Sequence, residues 1–104
     1  MPERQVTDFM KVTSPASVYD TPPRFLRGFA PDYPPTGNGH WGYAALDFSV
    51  EPDGSTADIR LVTATAYDFA QEAALAVRKW HFAPARKSAQ PVRTRVWLPF
   101  TFRA

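Results

Sequence analysis

His40 and His81 are the two imidazoles of the chain, and neither has the neighbours that reactive histidines need. His40, in "NGHWG", has no second histidine, cysteine or carboxylate at ligand spacing, so no metal site is expected there. His81 directly follows Trp80 at the end of a helical stretch and reads as a positioned surface side chain. General acid and base chemistry needs a pair of carboxylates, or a histidine with a partner in a pocket. Nothing marks such a pair, and Asp53 beside Gly54 reads as a turn former. Neither an enzyme nor a cofactor is expected. The residues left over are those of binding: Tyr43, Arg60, Arg93, Arg95 and Trp97 fall on outward positions of successive strands, and aromatics and arginines are enriched at interfaces. Trp97 could instead be covered by the N-terminal segment. Single-stranded nucleic acid also stacks on aromatics beside basic residues, but a net charge of +2 with no RNP-like motif leaves no nucleic-acid partner expected.

The whole chain sets the scale on which such a face can be built. Its 104 residues make one domain with one modest core. Charges are scattered, with no block of five or six, despite a pI near 9.2. The absence of cysteine removes disulfides, thiolate catalysis and zinc fingers together, and leaves the compartment open. No stretch approaches the roughly eighteen apolar residues of a membrane span. "MPERQVTDFMK" lacks the apolar run of a signal peptide, which suggests either a cytoplasmic chain or a piece of a longer one.

Two unlike parts follow from composition. Residues 1–42 hold seven of the eleven prolines, a density that disfavours helix and central strand alike. Residues 1–20 carry little periodicity and are expected to be mobile, whereas Phe25, Leu26, Phe29 and Tyr33 should dock residues 25–33 on the domain. From residue 43 onward the pattern is strand, strand, helix, strand. "YAALDFSV" alternates Ala44, Leu46, Phe48 and Val50 against Tyr43, Ala45, Asp47 and Ser49, the period of a sheet with one buried face. "EPDG" then supplies a hairpin turn, and residues 56–63 put Ala57, Ile59 and Leu61 on one face.

In "FAQEAALAVRKWHFAPA" the spacing puts Phe69, Ala73, Ala76, Val77 and Trp80 on one helical stripe. Asp68 is a candidate N-cap, with Gln71 completing a capping box. Leu75 lies off the stripe and is assigned to a place under the proline-rich segment. Trp80 closes the stripe, Phe82 continues it in extended backbone, and Pro84 stops the helix. The last strand, "VRTRVWLPFTF", turns Val92, Thr94, Val96, Leu98, Phe100 and Phe102 inward. The expected fold is therefore α+β: a three-stranded antiparallel sheet with one helix on one face, behind a proline-rich extended segment. Phe48, Ile59, Phe69, Val77, Trp80, Phe82 and Phe100 form its core.

The run "YP", "FSVEPDGSTADIRLV", "FAQEAALAVRKWHFAPA", "PV" and "VWLPFTF" resembles the C-terminal domain of TonB, the energy transducer of Gram-negative bacteria. The likeness begins near residue 31, so residues 1–30 read as an irregular segment and 31–104 as the domain. "PTGNGHWG" stands where the family usually has a longer segment with a short helix, and is too rich in glycine to form one. The resemblance implies a periplasmic module that binds a short extended segment, the TonB box, of a TonB-dependent outer-membrane transporter by strand addition. It also implies coupling to the inner-membrane proteins ExbB and ExbD through segments absent from this chain. The second reading is a free-standing structural or regulatory periplasmic domain without that coupling.

Pro99 bears on where a partner strand would pair. A proline inside residues 92–102 argues for an edge strand, because it cannot donate to a ladder. The expected peptide-binding residues are thus Val92, Arg93, Thr94, Arg95, Val96, Trp97 and Leu98. The same edge could pair with a second copy, as a homodimer, or be covered by the N-terminal segment.

Overall fold

The computed structural model describes residues 7–103. In chain order the strands and helix are β1 (Lys11–Val12), β2 (Arg24–Arg27), β3 (Gly42–Val50), β4 (Thr56–Ala64), α1 (Tyr67–Val77), β5 (His81–Ala83), β6 (Ala85–Lys87), β7 (Gln90–Val92) and β8 (Thr94–Phe102). The main sheet is antiparallel in the order β1-β8-β3-β4, and β2-β5 and β6-β7 form two separate ribbons. The expected α+β class is present, but the sheet has four strands rather than three. The fourth comes from the N-terminal part, and the expected last strand is split in two at Arg93.

In β3 Ala44, Leu46, Phe48 and Val50 are buried beneath α1 as anticipated, together with Val96, Leu98, Phe100 and Phe102 of β8, but Ala45 and Ser49 of the opposite face are buried as well. The expected core residues Phe48, Phe69, Val77, Trp80, Phe82 and Phe100 are buried, while Ile59 is only partly so, because β4 lies at the edge of the sheet. Leu61, opposite Leu46, is half exposed for the same reason.

Gly54 makes the β3–β4 turn with φ +86°. Its carbonyl accepts the Phe82 N–H at 2.8 Å, and a Cβ there would overlap the Phe82 carbonyl oxygen. The turn therefore needs glycine both for its conformation and for the close approach of β5. Asp53 accepts from both the backbone N–H and the hydroxyl of Ser55, and these bonds hold its carboxyl below the ordinary aspartate range.

Helix α1 departs from expectation at both ends. The residue at the N-cap position is Ala66, not Asp68, and its side chain makes no capping bond. Asp68 stands inside the first turn, where a carboxylate suits the helix dipole, and accepts the Thr36 hydroxyl. The helix ends at Val77, and the Lys79 and Trp80 N–H groups reach carbonyls three residues back in a tightened last turn. Trp80 thus lies beyond the helix.

Its indole is edge-on to Phe25 with centroids 5.1 Å apart, touches Phe82 and Phe100, and donates from Nε1 to the Phe29 carbonyl at 2.8 Å. Gly28 passes so close that a Cβ would overlap the ring. The segment from β2 to Phe29 is a roof over Trp80. Phe25 and Tyr33 pack on the core as expected of docked residues. Leu26 and Phe29, however, are 49% and 90% exposed, since here it is backbone rather than these side chains that meets the indole. Leu75 lines a shallow hollow with Phe29, Ala30 and Asp32 of that segment but is 44% exposed rather than covered by it.

Residues expected to be mobile are also tied down. Asp20 and Thr21 exchange backbone bonds with Arg86, and the Asp20 carboxylate accepts the Ser88 N–H at 2.7 Å. The part of that expectation falling on residues 1–6 lies outside the described residues.

Candidate peptide-binding edge

Strand β8 pairs with β3 over its whole length without interruption, from Thr94 opposite Val50 to Phe102 opposite Gly42. Proline at position 99 is accommodated within that ladder, opposite Ala45. The other edge of β8 carries β1, with Lys11 opposite Trp97 and Val12 opposite Val96. Two further bonds extend the contact: the Thr13 N–H donates to the Arg95 carbonyl at 2.9 Å, and the Arg95 N–H donates to the Ser14 hydroxyl at 2.8 Å. Val12 packs partly buried against the core, and the Lys11 ammonium lies 5.6 Å from the centre of the Trp97 ring, a cation–π distance. The edge inferred from Pro99 is thus the outer side of β8, but residues 10–14 cover it.

Of the seven expected binding residues, the structure brings five onto β8. Val92 belongs to β7, opposite Ala85, and Arg93 lies between the two strands. Thr94, Val96 and Leu98 point into the core, and because successive residues of a strand turn their backbone groups to opposite sides, the outward bonds of Arg95 leave the backbone of those three facing β3. Trp97 is the outward side chain, beside Tyr43 and Pro99 in a shallow depression of about 490 Å³ that Phe9 and Lys11 also line. Trp41 stacks on Tyr43 next to it.

The arginines are spoken for. Arg95 pairs with Asp47 of β3 and with Asp58 of β4 at 3.1 Å, and reaches the Asp58 carbonyl and the Ser49 hydroxyl. Arg93 bonds Ser49 at 2.8 Å and Glu51 at 2.9 Å, and Arg60 pairs with Asp58. Partial burial of Arg95 withdraws its charge from water and lowers its pKa. The outward arginines therefore lace three strands together rather than waiting for a ligand. The alternating pattern put them on that face, but no local signal pairs Arg95 with carboxylates that lie 37 and 48 residues away.

The opposite edge of the sheet is β4, and among the described residues no strand pairs with its outer side. Its ladder to β3 shifts register twice, and Asp58 stands in the left-handed region at φ 50°. Such bulges twist an edge away from pairing. Between β4 and α1 lies an apolar hollow of about 360 Å³, lined in part by Leu46, Ile59, Leu61, Tyr67 and Leu75. No group of three or more histidine or acidic side chains that could hold a metal occurs among the described residues. Nor is any helix there long and apolar enough to cross a membrane.

Cover by the N-terminal segment stood among the expected alternatives for this edge, but which residues supply it was not legible, since a strand of two residues carries no periodicity to read.

Comparison with known proteins agrees with the architecture. The model of the family described as Gram-negative bacterial TonB protein C-terminal matches residues 30–104. No curated protein matches the chain. Among solved structures, the solution NMR structure of the Pseudomonas aeruginosa TonB C-terminal domain is similar, with a TM-score of 0.70 and 26% identity over 82% of this chain and 89% of that one. With the family model matching residues 30–104, the chain belongs to the TonB C-terminal family.

Proposed function

We propose that this domain binds a short extended segment of a TonB-dependent outer-membrane transporter on the outer edge of β8, by antiparallel strand addition. One observation carries the reading: β8 already accepts an added strand in that place, with Lys11 and Val12 in antiparallel register and Thr13 bonded to Arg95. Main-chain bonds supply affinity in this mode, and side-chain pockets supply selectivity. The bonding backbone is that of Arg95 and Trp97, with the Trp97 ring as the outward contact. This narrows the expected span, because Val92 and Arg93 stand outside the strand. Membership of the family supports a periplasmic location and a role in passing energy from ExbB and ExbD to the transporter.

The test is a titration of the isotope-labelled chain with a peptide of a transporter's TonB box. Amide shifts centred on residues 95–98 and on residues 10–14 are the expected result. Shifts centred on α1, or none at millimolar peptide, would rule the reading out and favour a domain that keeps the fold without transporter coupling.

A further inference from the structure

Strand addition is a competition when the edge is already occupied. Residues 10–14 hold β8 through a two-residue ladder, the Thr13 bond to the Arg95 carbonyl, the Ser14 hydroxyl on the Arg95 N–H, and Lys11 over Trp97. That is a small set of contacts: Lys11 and Thr13 are exposed, and Met10, Val12 and Ser14 are partly buried, with none of the five fully so. Elements with few buried contacts and exposed backbone bonds open at the low end of the stability range. The rest of the N-terminal part is anchored separately, by Asp20 and Thr21 on Arg86 and by the roof over Trp80, so residues 10–14 can leave without undoing those ties.

We propose that residues 10–14 are a self-ligand of the β8 edge, and that a partner's extended segment binds by replacing them. The inference rests on the reading of β8 as the peptide-binding edge. The self-ligand also defines the chemistry of its replacement. An antiparallel segment takes the edge with an aliphatic residue opposite Val96, where Val12 packs on the core. Two positions further on it carries a hydroxyl residue that accepts the Arg95 N–H as Ser14 does. One position before the aliphatic it carries a long or basic side chain that lies over Trp97, as Lys11 does. Being part of the same chain, the self-ligand weakens the apparent affinity of any partner by the fraction of molecules whose edge is open.

The probe is a synthetic peptide of residues 7–14, titrated into the unmodified chain and into the double variant Thr13→Pro, Ser14→Ala. The variant loses the donor to the Arg95 carbonyl and the acceptor for the Arg95 N–H. It is expected to bind the peptide about tenfold more tightly than the unmodified chain, the ratio set by an edge open in about one molecule in ten. Its shifts should centre on residues 95–98. Equal affinities, or no binding to a folded variant, would overturn the proposal. A ratio that changes with protein concentration would assign the edge to a second copy and overturn it as well.

Hydrogen exchange on the unmodified chain covers the case in which the variant fails to fold. The Thr13 amide should exchange faster as a transporter peptide saturates the domain. A transporter peptide that binds while Thr13 stays protected would sink the self-ligand and leave the transporter reading standing. Peptide 7–14 bound at β8 of the variant, with no transporter peptide bound to either form, would do the reverse.

Discussion

Trp80 carries more of this fold than its position just past the helix suggests, because it joins the sheet, the helix end and the N-terminal roof at one ring. Trp80→Ala is expected to cost about 3–5 kcal/mol, as large aromatic truncations do. Trp80→Phe keeps a ring against Phe25 and Phe100 but strands the Phe29 carbonyl, and is expected to cost about 1–3 kcal/mol. Denaturant melts of the two variants check this, and a loss below about 1 kcal/mol for alanine would show that the ring does not pack as described. Gly54 is the second such position. Gly54→Ala must hold a left-handed turn and push the Phe82 carbonyl aside, so a loss above about 1 kcal/mol is expected in the same melts.

Among the elements, the sheet owes its cross-strand ties on the outer face to Arg95. Its guanidinium spans from β8 across β3 to β4, meeting Asp47 and Asp58 on the way. The side chains are only partly buried, so solvent screens the pairs, and a double-mutant cycle of Arg95→Ala with Asp58→Ala should give a coupling of about 0.5–1 kcal/mol. The coupling should shrink at high salt. Arg95→Lys should not restore it, since a single ammonium cannot serve two carboxylates and the Asp58 carbonyl as the fork does. A lysine variant as stable as the parent would remove the network from the account. The strands themselves were largely legible: β3, β4 and α1 stand close to where period and turn residues put them. The split between β7 and β8 was not, because apolar alternation runs unbroken through Val92, Thr94 and Val96 while the pairing partner changes from β6 to β3.

Over the whole molecule, acid should act through two turns. Asp53 is held below its ordinary value mainly by the Ser55 hydroxyl and N–H, and Asp20 mainly by the Ser88 N–H, with Lys87 adding charge. A carboxylate whose folded pKa lies below its unfolded one adds stability above the unfolded value, and that contribution is lost as pH falls through the folded value. Stability should therefore hold on the neutral side and decline as the pH passes below 3.8, the ordinary value for both groups. Both are fully exposed, so the effect is modest. Asp20→Asn should flatten part of the decline while loosening the N-terminal part from the β6–β7 turn, which urea melts from neutral pH down to acid, with and without the substitution, can read. An unchanged pH profile in Asp20→Asn would show that the carboxylate does not hold the segment.

By itself the sequence determined what depends on neighbours along the chain. Alternation over Ala44, Leu46, Phe48 and Val50 buries the core face of a strand; Asp53 and Gly54 make its turn; and Phe69, Ala73 and Val77 give the helix its buried side, although the helix stops at Val77 and not at Pro84. The motifs in that order also carried the family likeness. The tertiary structure alone decided which strand edge is covered, what the outward arginines hold, and which backbone roofs Trp80. These are meetings of residues dozens of positions apart, such as Arg95 with Ser14, 81 residues away, and Trp80 with Phe29, 51 away. Periodicity reports the direction a side chain takes from its own backbone, and it carries no information on which distant segment will be waiting there.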